Sequence, residues 1–327
     1  MSASGNGFRP RKLGHANLYV GEIERSMTFY TQVCGFEEVF REHQIKAGFV
    51  SNGTRHHDLG MVDISRRKLI GRDGEELGDR NVPSSPGLNH LAFEVETEKE
   101  LVASFKKVEK TDAHIVMTLD HGLAKSIYLT DPSGMEVEFY TDAIDDWREF
   151  FNNALKRNAM VTGLWEPGKE APSEHSYFDE APEVRVVPDA ALNPVSLTHA
   201  TMSVANYEDS LKFHRDIGGF SVVAQSDGIA VLKGYQQPRQ DLVLVRSKQN
   251  DGNKIHHLTF SLPTPEHVQK GKARLAKAGV KVVRELDTDR KTSIFIRDPD
   301  DLLLEFTHYK VDGPIAAIGS ADDAYLI

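Results

Sequence analysis

Two histidines and a glutamate occur twice along this chain of 327 residues, in the same order and at almost the same spacing. The first set and its copy are His15, His90, Glu138 and His199, His257, Glu305. The second histidine and the glutamate are both displaced by 167 positions, so the later part of the repeat contains no gap. A chain that repeats itself so closely is constrained to fold as two similar halves.

The repeated residue types point to a particular chemistry. Two neutral imidazoles and one carboxylate leave coordination positions open on a metal, and this ligand set suits non-heme Fe(II) working on O2. A single strand histidine is more often an ordinary polar residue, but a trio at matching positions of two repeats is harder to explain in that way. The sequence therefore predicts that each half can hold one such metal site.

Composition narrows the class of protein. The length predicts about two domains, each large enough to bury its own core. The net charge of −10 argues against a nucleic-acid partner, because phosphate binding needs a basic face. The single cysteine, Cys34, excludes an intramolecular disulfide, fits a reducing compartment and lies in an apolar helical pattern that predicts core packing. The sequence has no apolar run of membrane length and no apolar signal core near its start. We therefore expect a cytoplasmic homo-oligomer without membrane partners.

A proline-rich stretch separates the two halves. It begins with a helical pattern at 146–157, which we expect to pack against the first domain or the domain seam. The prolines that follow restrict the backbone and remove donors, and they are Pro167, Pro172, Pro182, Pro188 and Pro194. The sequence therefore predicts a first domain at 1–145, a linker with a helix at 146–194 and a second domain at 195–327.

Each half contains two similar units, each with a strand, a helix and several further strands. The predicted strands that begin with the repeated histidines are 15–20, 90–95, 199–204 and 257–262. The helices predicted after them are 24–36, about 98–110, 208–220 and about 265–278. Side chains alternate across a strand, so His15 should lie on the face opposite Ala16 and Leu18.

The first half is longer than the second between its two histidines. His15 and His199 are 184 positions apart, whereas the later landmarks are 167 apart, which indicates an insertion of 17 residues. The polar, Gly/Pro-rich stretch at 66–87 is the predicted insertion, and we expect it to form a surface loop.

One segment resembles the signature of a known family. The sequence DHGLAKSIYLTDPSGMEVE at 120–138 is similar to the signature of the type I extradiol ring-cleavage dioxygenases. The positions that carry the resemblance are His121, Tyr128, Asp131, Pro132, Gly134 and Glu138. Leu119, two residues before His121, is a small departure from the usual pattern. The complete signature lies in the N-terminal half, as in a smaller group of catechol 2,3-dioxygenases.

The resemblance implies a fold and a set of roles. The implied fold is an α+β vicinal oxygen chelate fold, in which four paired βαβββ modules form two half-open mixed-sheet barrels. It further implies that His15, His90 and Glu138 hold Fe(II), with Mn(II) as the other option, and that O2 is the co-substrate. The implied substrate is a small aromatic diol, which the enzyme opens beside its two hydroxyl groups.

The same resemblance assigns the surrounding polar residues. Tyr128 is expected to hydrogen-bond a substrate oxygen. His57 is expected to remove a substrate proton and later to return one, because imidazole titrates near neutral pH. His121 is expected to stabilise the oxygen species or to close the pocket. His56 is interpreted as a solvated strand end.

The two halves differ at these polar positions. Phe295, Thr288 and Gln240 stand in the second half where the first half has Tyr128, His121 and His57. Phenylalanine cannot donate a hydrogen bond, and threonine does not titrate near neutral pH. The first half is therefore the predicted catalytic half, and His199, His257 and Glu305 are a possible second, vestigial set of metal ligands.

Two other functions fit the same fold. One is a metal-dependent isomerase of the glyoxalase type or a thiol transferase, which tends to use other ligand mixtures. The other is a non-catalytic protein that binds an aromatic or drug-like ligand. Neither needs the pair His121 and Tyr128, and this pair favours ring cleavage.

Overall fold

Two open, mixed β-sheets form the framework of the protein. The computed structural model describes residues 7–43, 45–65, 68–71, 74–79, 82–153, 163–247, 254–313 and 324–327. The predicted α+β fold is confirmed, and the sheets are curved but do not close into barrels. None of the described helices is long and apolar enough to cross a membrane.

The first sheet contains nine strands. The strands of this half are β1 (Pro10–Val20), β2 (Glu37–Glu42), β3 (Ala47–Ser51), β4 (Leu59–Asp63), β5 (Lys68–Ile70), β6 (Glu76–Asp79), β7 (Gly87–Val95), β8 (His114–Asp120), β9 (Ala124–Thr130), β10 (Glu136–Asp142) and β11 (Gly163–Leu164). Their order across the sheet is β11-β8-β9-β10-β7-β1-β4-β3-β2. The helices are α1 (Ile23–Thr28), which continues into a π-helical turn (Phe29–Val33), α2 (Glu98–Val108) and α3 (Trp147–Asn152).

The second sheet repeats this arrangement with eight strands. The elements are β12 (Ser196–Val204), α4 (Tyr207–Asp216), β13 (Ser221–Ser226), β14 (Ile229–Lys233), β15 (Leu242–Arg246), β16 (Lys254–Ser261), α5 (Pro265–Lys277), β17 (Val282–Asp287), β18 (Lys291–Arg297) and β19 (Leu303–Tyr309). Their order is β13-β14-β15-β12-β16-β19-β18-β17. Strands β10-β7-β1-β4 and β19-β16-β12-β15 therefore lie in the same order at the centre of their sheets.

The alternation of side chains separates the core from the opposite face of each sheet. Ala16 and Leu18 on β1, and Val137 and Phe139 on β10, belong to the main hydrophobic core. His15 lies on the other face of β1, as the sequence predicts. Cys34 is also buried in this core, which confirms its predicted packing role.

The helix boundaries follow local sequence signals. The side chain of Thr97 accepts a hydrogen bond from the backbone N–H of Glu100 and so caps α2. Gly35 follows the π-helical turn with a φ of +87°, a conformation that favours glycine. Helix α3 ends at Asn152, and residues 154–157 of its predicted extent lie outside the described residues.

The predicted insertion contains regular structure. Strands β5 and β6 pair in an antiparallel hairpin that is separate from the large sheets. The prediction of a simple surface loop at 66–87 was therefore wrong for this part. Ala16 pairs with Leu59, and its equivalent Ala200 pairs with Leu242. Leu59 and Leu242 are 183 positions apart, so the offset between equivalent residues has hardly changed by β4. Most of the extra length consequently lies between β4 and β7.

The proline-rich segment lies against the first half. Its strand β11 pairs with β8 at one edge of the first sheet. The backbone N–H of Arg185 donates to the carbonyl of Asn52 at 2.7 Å, and the N–H of Lys99 donates to Ser173 at 3.0 Å. Phe178 packs edge-on against the buried ring of Tyr140. These contacts make the segment part of the outer wall of the first half.

The two halves meet through equivalent contacts. Each Asp-Pro turn packs against the first helical segment of the opposite half. Tyr30 donates a hydrogen bond to Asp298 at 2.9 Å, and at the equivalent place His214 Nε2 lies 3.6 Å from Asp131. Two further contacts join the same surfaces, Ser26 to Asp300 and Ser210 to Ser133. The two halves of the repeat therefore contact each other across a seam with approximate two-fold symmetry.

Candidate metal centre

Three neighbouring strands bring the predicted ligands of the first half together. His15 lies on β1, His90 on β7 and Glu138 on β10. Ala92 on the central strand is opposite both His15 and Glu138 in the strand register. The three side chains therefore surround the small methyl group of Ala92, on the face of the sheet away from the core.

The geometry of this cluster is compact. The Nε2 atoms of His15 and His90 lie 3.1 Å and 2.9 Å from the same oxygen, Oε2 of Glu138. The candidate ligand atoms all lie within 4.8 Å of one another, and all three side chains are buried. Two imidazole nitrogens that converge on one carboxylate oxygen are arranged to share a cation.

The charges in the cluster also favour a cation. Burial lowers the pKa of His15 to about 3, so its imidazole is neutral at neutral pH. Burial alone would raise the pKa of Glu138, but His15 and His90 outweigh it and hold that pKa well below its usual range. Within the described residues, no lysine or arginine forms an ion pair with Glu138. A buried negative charge needs compensation, so the donor set fits a divalent metal ion.

A neighbouring amide fixes the ring of His90. Nδ1 of His90 forms a short hydrogen bond with Oδ1 of Asn89, which can only accept. Nδ1 therefore carries the proton, and Nε2 keeps its lone pair for a metal. Asn89 was not predicted from the sequence, although it stands directly before a predicted ligand.

His57 lies directly beside the cluster. Its ring centroid is 3.9 Å from that of His15, and its Nε2 atom is buried without a hydrogen-bond partner among the described residues. Burial, with a further contribution from the neighbouring His15, lowers the pKa of His57 well below its usual range. The neutral ring therefore presents a nitrogen to the space beside the candidate metal centre.

His56 is buried, and its interpretation as a solvated strand end was wrong. Its Nδ1 lies 2.7 Å from Nδ1 of His57, and its Nε2 lies 3.3 Å from Oδ1 of Asp142. The carboxylate of Asp142 lies close enough to favour a proton on Nε2 of His56 by its charge, without a hydrogen bond between them, and His56 Nδ1 can then accept the Nδ1 proton of His57. This chain of contacts favours the tautomer of His57 that leaves Nε2 unprotonated.

Tyr128 and His121 form a second polar pair at the cluster. The hydroxyl of Tyr128 lies 3.0 Å from Nε2 of His121, and the ring of Tyr128 packs edge-on against His90 at 5.4 Å. Burial, with a further contribution from Glu138, raises the pKa of Tyr128 well above its usual range. Tyr128 therefore keeps its proton at neutral pH and can donate it in a hydrogen bond.

An apolar cluster covers the same face of the sheet. It combines Ala92 and Tyr140 with two residues at or just before the start of β9 and two of α3, namely Leu123, Ala124, Phe150 and Phe151. The ring of Phe151 stacks on Phe40 at 5.6 Å, and Phe49 packs against His57 at 5.0 Å. The candidate centre is therefore polar at its floor and aromatic at its walls.

The second triad is also assembled. The candidate ligand atoms of His199, His257 and Glu305 lie within 4.8 Å of one another, and all three side chains are fully buried. Phe295 is opposite Glu305 in the strand register, as Tyr128 is opposite Glu138. The structure thus supports the predicted equivalence of Phe295 and Tyr128.

Two features define the class of this protein. Its paired modules form open sheets, and each half contains a buried cluster of two histidines and a glutamate. Residues 12–139 and 196–306 match the Glyoxalase/Bleomycin resistance protein/Dioxygenase superfamily. The chain belongs to this superfamily. Its predicted resemblance to the extradiol dioxygenases is confirmed.

Individual relatives and solved structures agree with this assignment. The catechol-2,3-dioxygenase of Bacillus subtilis (strain 168) is 25% identical over 221 residues, which cover 67% of this chain and 69% of that protein. The 2,3-dioxygenase LapB of Pseudomonas sp. KL28 has a TM-score of 0.66 at 16% identity, covering 96% of both chains. The Mn(II)-bound glyoxalase of Novosphingobium aromaticivorans has a TM-score of 0.65 at 13% identity, covering 95% of this chain and 86% of that chain. The two structural similarities show the shared fold.

Proposed function

We propose that this protein is an Fe(II)-dependent extradiol dioxygenase, which uses O2 to cleave a catecholic ring beside its two hydroxyl groups. The observation that carries the proposal is the convergence of His15 and His90 on one oxygen of Glu138, with His57 packed against His15 and Tyr128 packed against His90. The similarity to a protein named catechol-2,3-dioxygenase supports it.

The first half is the proposed catalytic domain, at 1–145. His15, His90 and Glu138 would hold the metal, and Fe(II) bound there supplies open positions for the two substrate oxygens and for O2. Mn(II) shares these ligand preferences and is the other candidate. The segment 146–194 acts as the linker, and the second domain at 195–327 is non-catalytic in this proposal.

The proton-handling residues have distinct positions. His57 Nε2 accepts a proton from a substrate hydroxyl, because its ring is neutral and this atom has no hydrogen-bond partner within the part of the chain that the structure describes. His56 and Asp142 hold the required tautomer of His57. Tyr128 donates its hydroxyl proton toward a substrate oxygen, while His121 donates from Nε2 to the Tyr128 oxygen.

The aromatic walls complete the pocket. Phe40, Phe49 and Phe151 present ring surfaces next to the polar floor. Such walls suit a flat aromatic substrate and keep water away from the reacting groups. An aromatic diol matches both parts of the pocket, because its ring meets the walls and its oxygens meet the floor.

The proposal is tested by removing one ligand. Glu138→Ala should abolish O2 consumption with a panel of substituted catechols and should also remove iron from the first half, because one of three protein ligands is lost. The matched control is the double variant Glu305→Gln with Lys291→Met, which removes the equivalent glutamate charge of the second half together with its buried lysine partner. This control should keep most of the parent activity.

Other outcomes of the same assay separate the alternatives. Full activity of Glu138→Ala would overturn the assignment of the site. Isomerisation of a hemithioacetal without O2 uptake would favour the glyoxalase type of enzyme. Tight binding of aromatic ligands without turnover, at full iron occupancy, would favour a binding protein.

A further inference from the structure

We propose that the ammonium group of Lys291 takes the place of a metal cation in the second half of the protein. In this assignment His199, His257 and Glu305 form a permanent, buried ion-pair centre and do not bind a divalent metal. Two residues, Lys291 and Thr259, distinguish this centre from the candidate metal centre of the first half.

Both residues occupy positions at which the first half has alanine. Thr259 is opposite His199 and Glu305 in the strand register, as Ala92 is opposite His15 and Glu138. Lys291 begins β18 and lies 167 positions after Ala124, which begins β9. The second half therefore carries a hydroxyl and an ammonium group where the first half has two methyl groups.

These two groups occupy both oxygens of Glu305. Lys291 Nζ donates to Oε1 at 2.6 Å, and the hydroxyl of Thr259 donates to Oε2 at 2.9 Å. His257 Nε2 lies 3.4 Å from Oε2, compared with 2.9 Å at the equivalent contact of the first half. Each oxygen of Glu305 consequently already accepts a hydrogen bond from the protein itself.

The charge balance leads to the same conclusion. Glu305 and Lys291 are both buried and together carry no net charge. A divalent ion at this place would stand beside a buried ammonium group, and like charges repel strongly where water is excluded. In the first half, Glu138 has no such partner among the described residues, so its negative charge remains available for a metal.

The second centre is also covered from outside. The backbone oxygen of Ile327 accepts a second hydrogen bond from Lys291 Nζ at 2.5 Å. The ring of Tyr325 stacks parallel to that of His257 at 6.1 Å, and Ala324 and Ile327 are buried in a small apolar cluster. The segment Ala324–Ile327 therefore covers the ion pair.

The test converts the second half toward the first. Lys291→Ala copies Ala124 and leaves Glu305 uncompensated, so it should create a site for Mn(II). Titration with Mn(II), followed by anomalous diffraction from crystals, should show the ion only in the first half of the parent protein. The variant should bind about one further Mn(II) per chain, located among His199, His257 and Glu305.

Two controls make the result specific. Lys310→Ala removes a partly exposed lysine that pairs with Asp287, and it should leave the Mn(II) stoichiometry unchanged. Lys291→Ala combined with Glu305→Gln removes both buried charges, and it should gain no second ion. The melting temperature of Lys291→Ala alone should fall without metal and recover with Mn(II), because an ion that binds only the folded state stabilises it.

The proposal is judged by where Mn(II) is found, and the two halves are judged separately. An anomalous peak at His199, His257 and Glu305 in the parent protein would overturn it, even if Lys291→Ala failed to fold. A folded Lys291→Ala variant that gains no Mn(II) would also overturn it. An empty first half would count against the proposed dioxygenase and not against this assignment, because each ion is located separately.

Discussion

His57 and Gln240 show how one residue can separate the two halves. Each stands directly before an aspartate, and the register of β1 with β4 and of β12 with β15 places Asp58 and Asp241 at the same point. Both aspartate carbonyls accept a hydrogen bond from the equivalent alanine N–H. An imidazole can move a proton at this position, whereas an amide cannot.

His57→Gln should therefore keep iron and still bind a catechol, but turn over slowly. We expect the maximal rate to fall on the order of a hundredfold, since the general base is lost. Tyr128→Phe, another change that the second half carries, should be milder and cost roughly 1 to 3 kcal/mol for one hydrogen bond. The measurement is steady-state O2 consumption, with iron content determined on the same samples. Parent-like turnover of His57→Gln at equal iron content would move the proton role to another residue.

The repeat in the sequence predicted the candidate ligands, because residue types and offsets can be compared without a structure. The same comparison placed Phe295, Thr288 and Gln240 opposite the polar residues of the first half. It could not identify Lys291, because a lysine at the start of a strand is normally solvent-exposed. Only the folded structure shows that its ammonium group is buried against Glu305.

Among the elements, helix α3 has the most direct link to the pocket. Asp146 begins it by accepting hydrogen bonds from the backbone N–H groups of Arg148 and Glu149. The helix then places Phe150 and Phe151 over the face of the sheet that carries the candidate ligands. A sequence pattern predicted the helix, but it could not show which face of the sheet the helix covers.

Phe151→Ala should raise KM for a catechol roughly tenfold and change kcat less, because the lost contact binds the ring and not the reacting oxygens. Phe29→Ala is a matched control, since both phenylalanines are 8% exposed and Phe29 lies in the π-helical turn away from the site. Both variants should lose stability to a similar extent, about 3 to 5 kcal/mol. Kinetics measured well below the melting temperature test this, and an equal rise of KM in both variants would refute the assigned wall.

Strand and helix positions were the most predictable part of the fold. The four strands that begin near the repeated histidines and the four helices after them are present, with ends shifted by a few residues. The hairpin within 66–87 was missed because its residues are polar and rich in glycine, which also describes a loop. The path of the proline-rich segment depends on distant contacts such as that of Arg185 with Asn52, which no local pattern encodes.

For the whole molecule, the seam between the halves should make stability depend on pH. Burial raises the pKa of Asp298 from 3.8 to about 6, against the opposing hydrogen bonds of Leu302 and Tyr30. Between these values the folded state holds a proton that the unfolded state has lost, so stability falls as pH rises from about 4 to 6. The interval corresponds to about 3 kcal/mol, at about 1.36 kcal/mol per pH unit.

Asp298→Asn should make this fall shallower, because an amide does not titrate and its oxygen can still accept the backbone hydrogen bonds of Asp300 and Leu302. The measurement is the free energy of unfolding in urea at several values between pH 4 and 7. Asp131 is the matched control at the equivalent turn. Burial alone would raise the pKa of Asp131, but His214 outweighs it and the pKa is lowered, so its contribution is lost only as pH falls below about 4. An unchanged profile for Asp298→Asn would refute the assignment.

The ammonium group of Lys291, proposed as the cation of the second half, has a consequence for the stability of the protein without metal. Proteins that need a metal to fold lose their structure when the supply fails. Here half of the molecule is charge-balanced by its own lysine, and its Asp-Pro turn contacts the first helix of the other half through Asp298 and Tyr30. On this assignment the second half stays folded when metal is removed, and the seam that it shares with the first half stays in place.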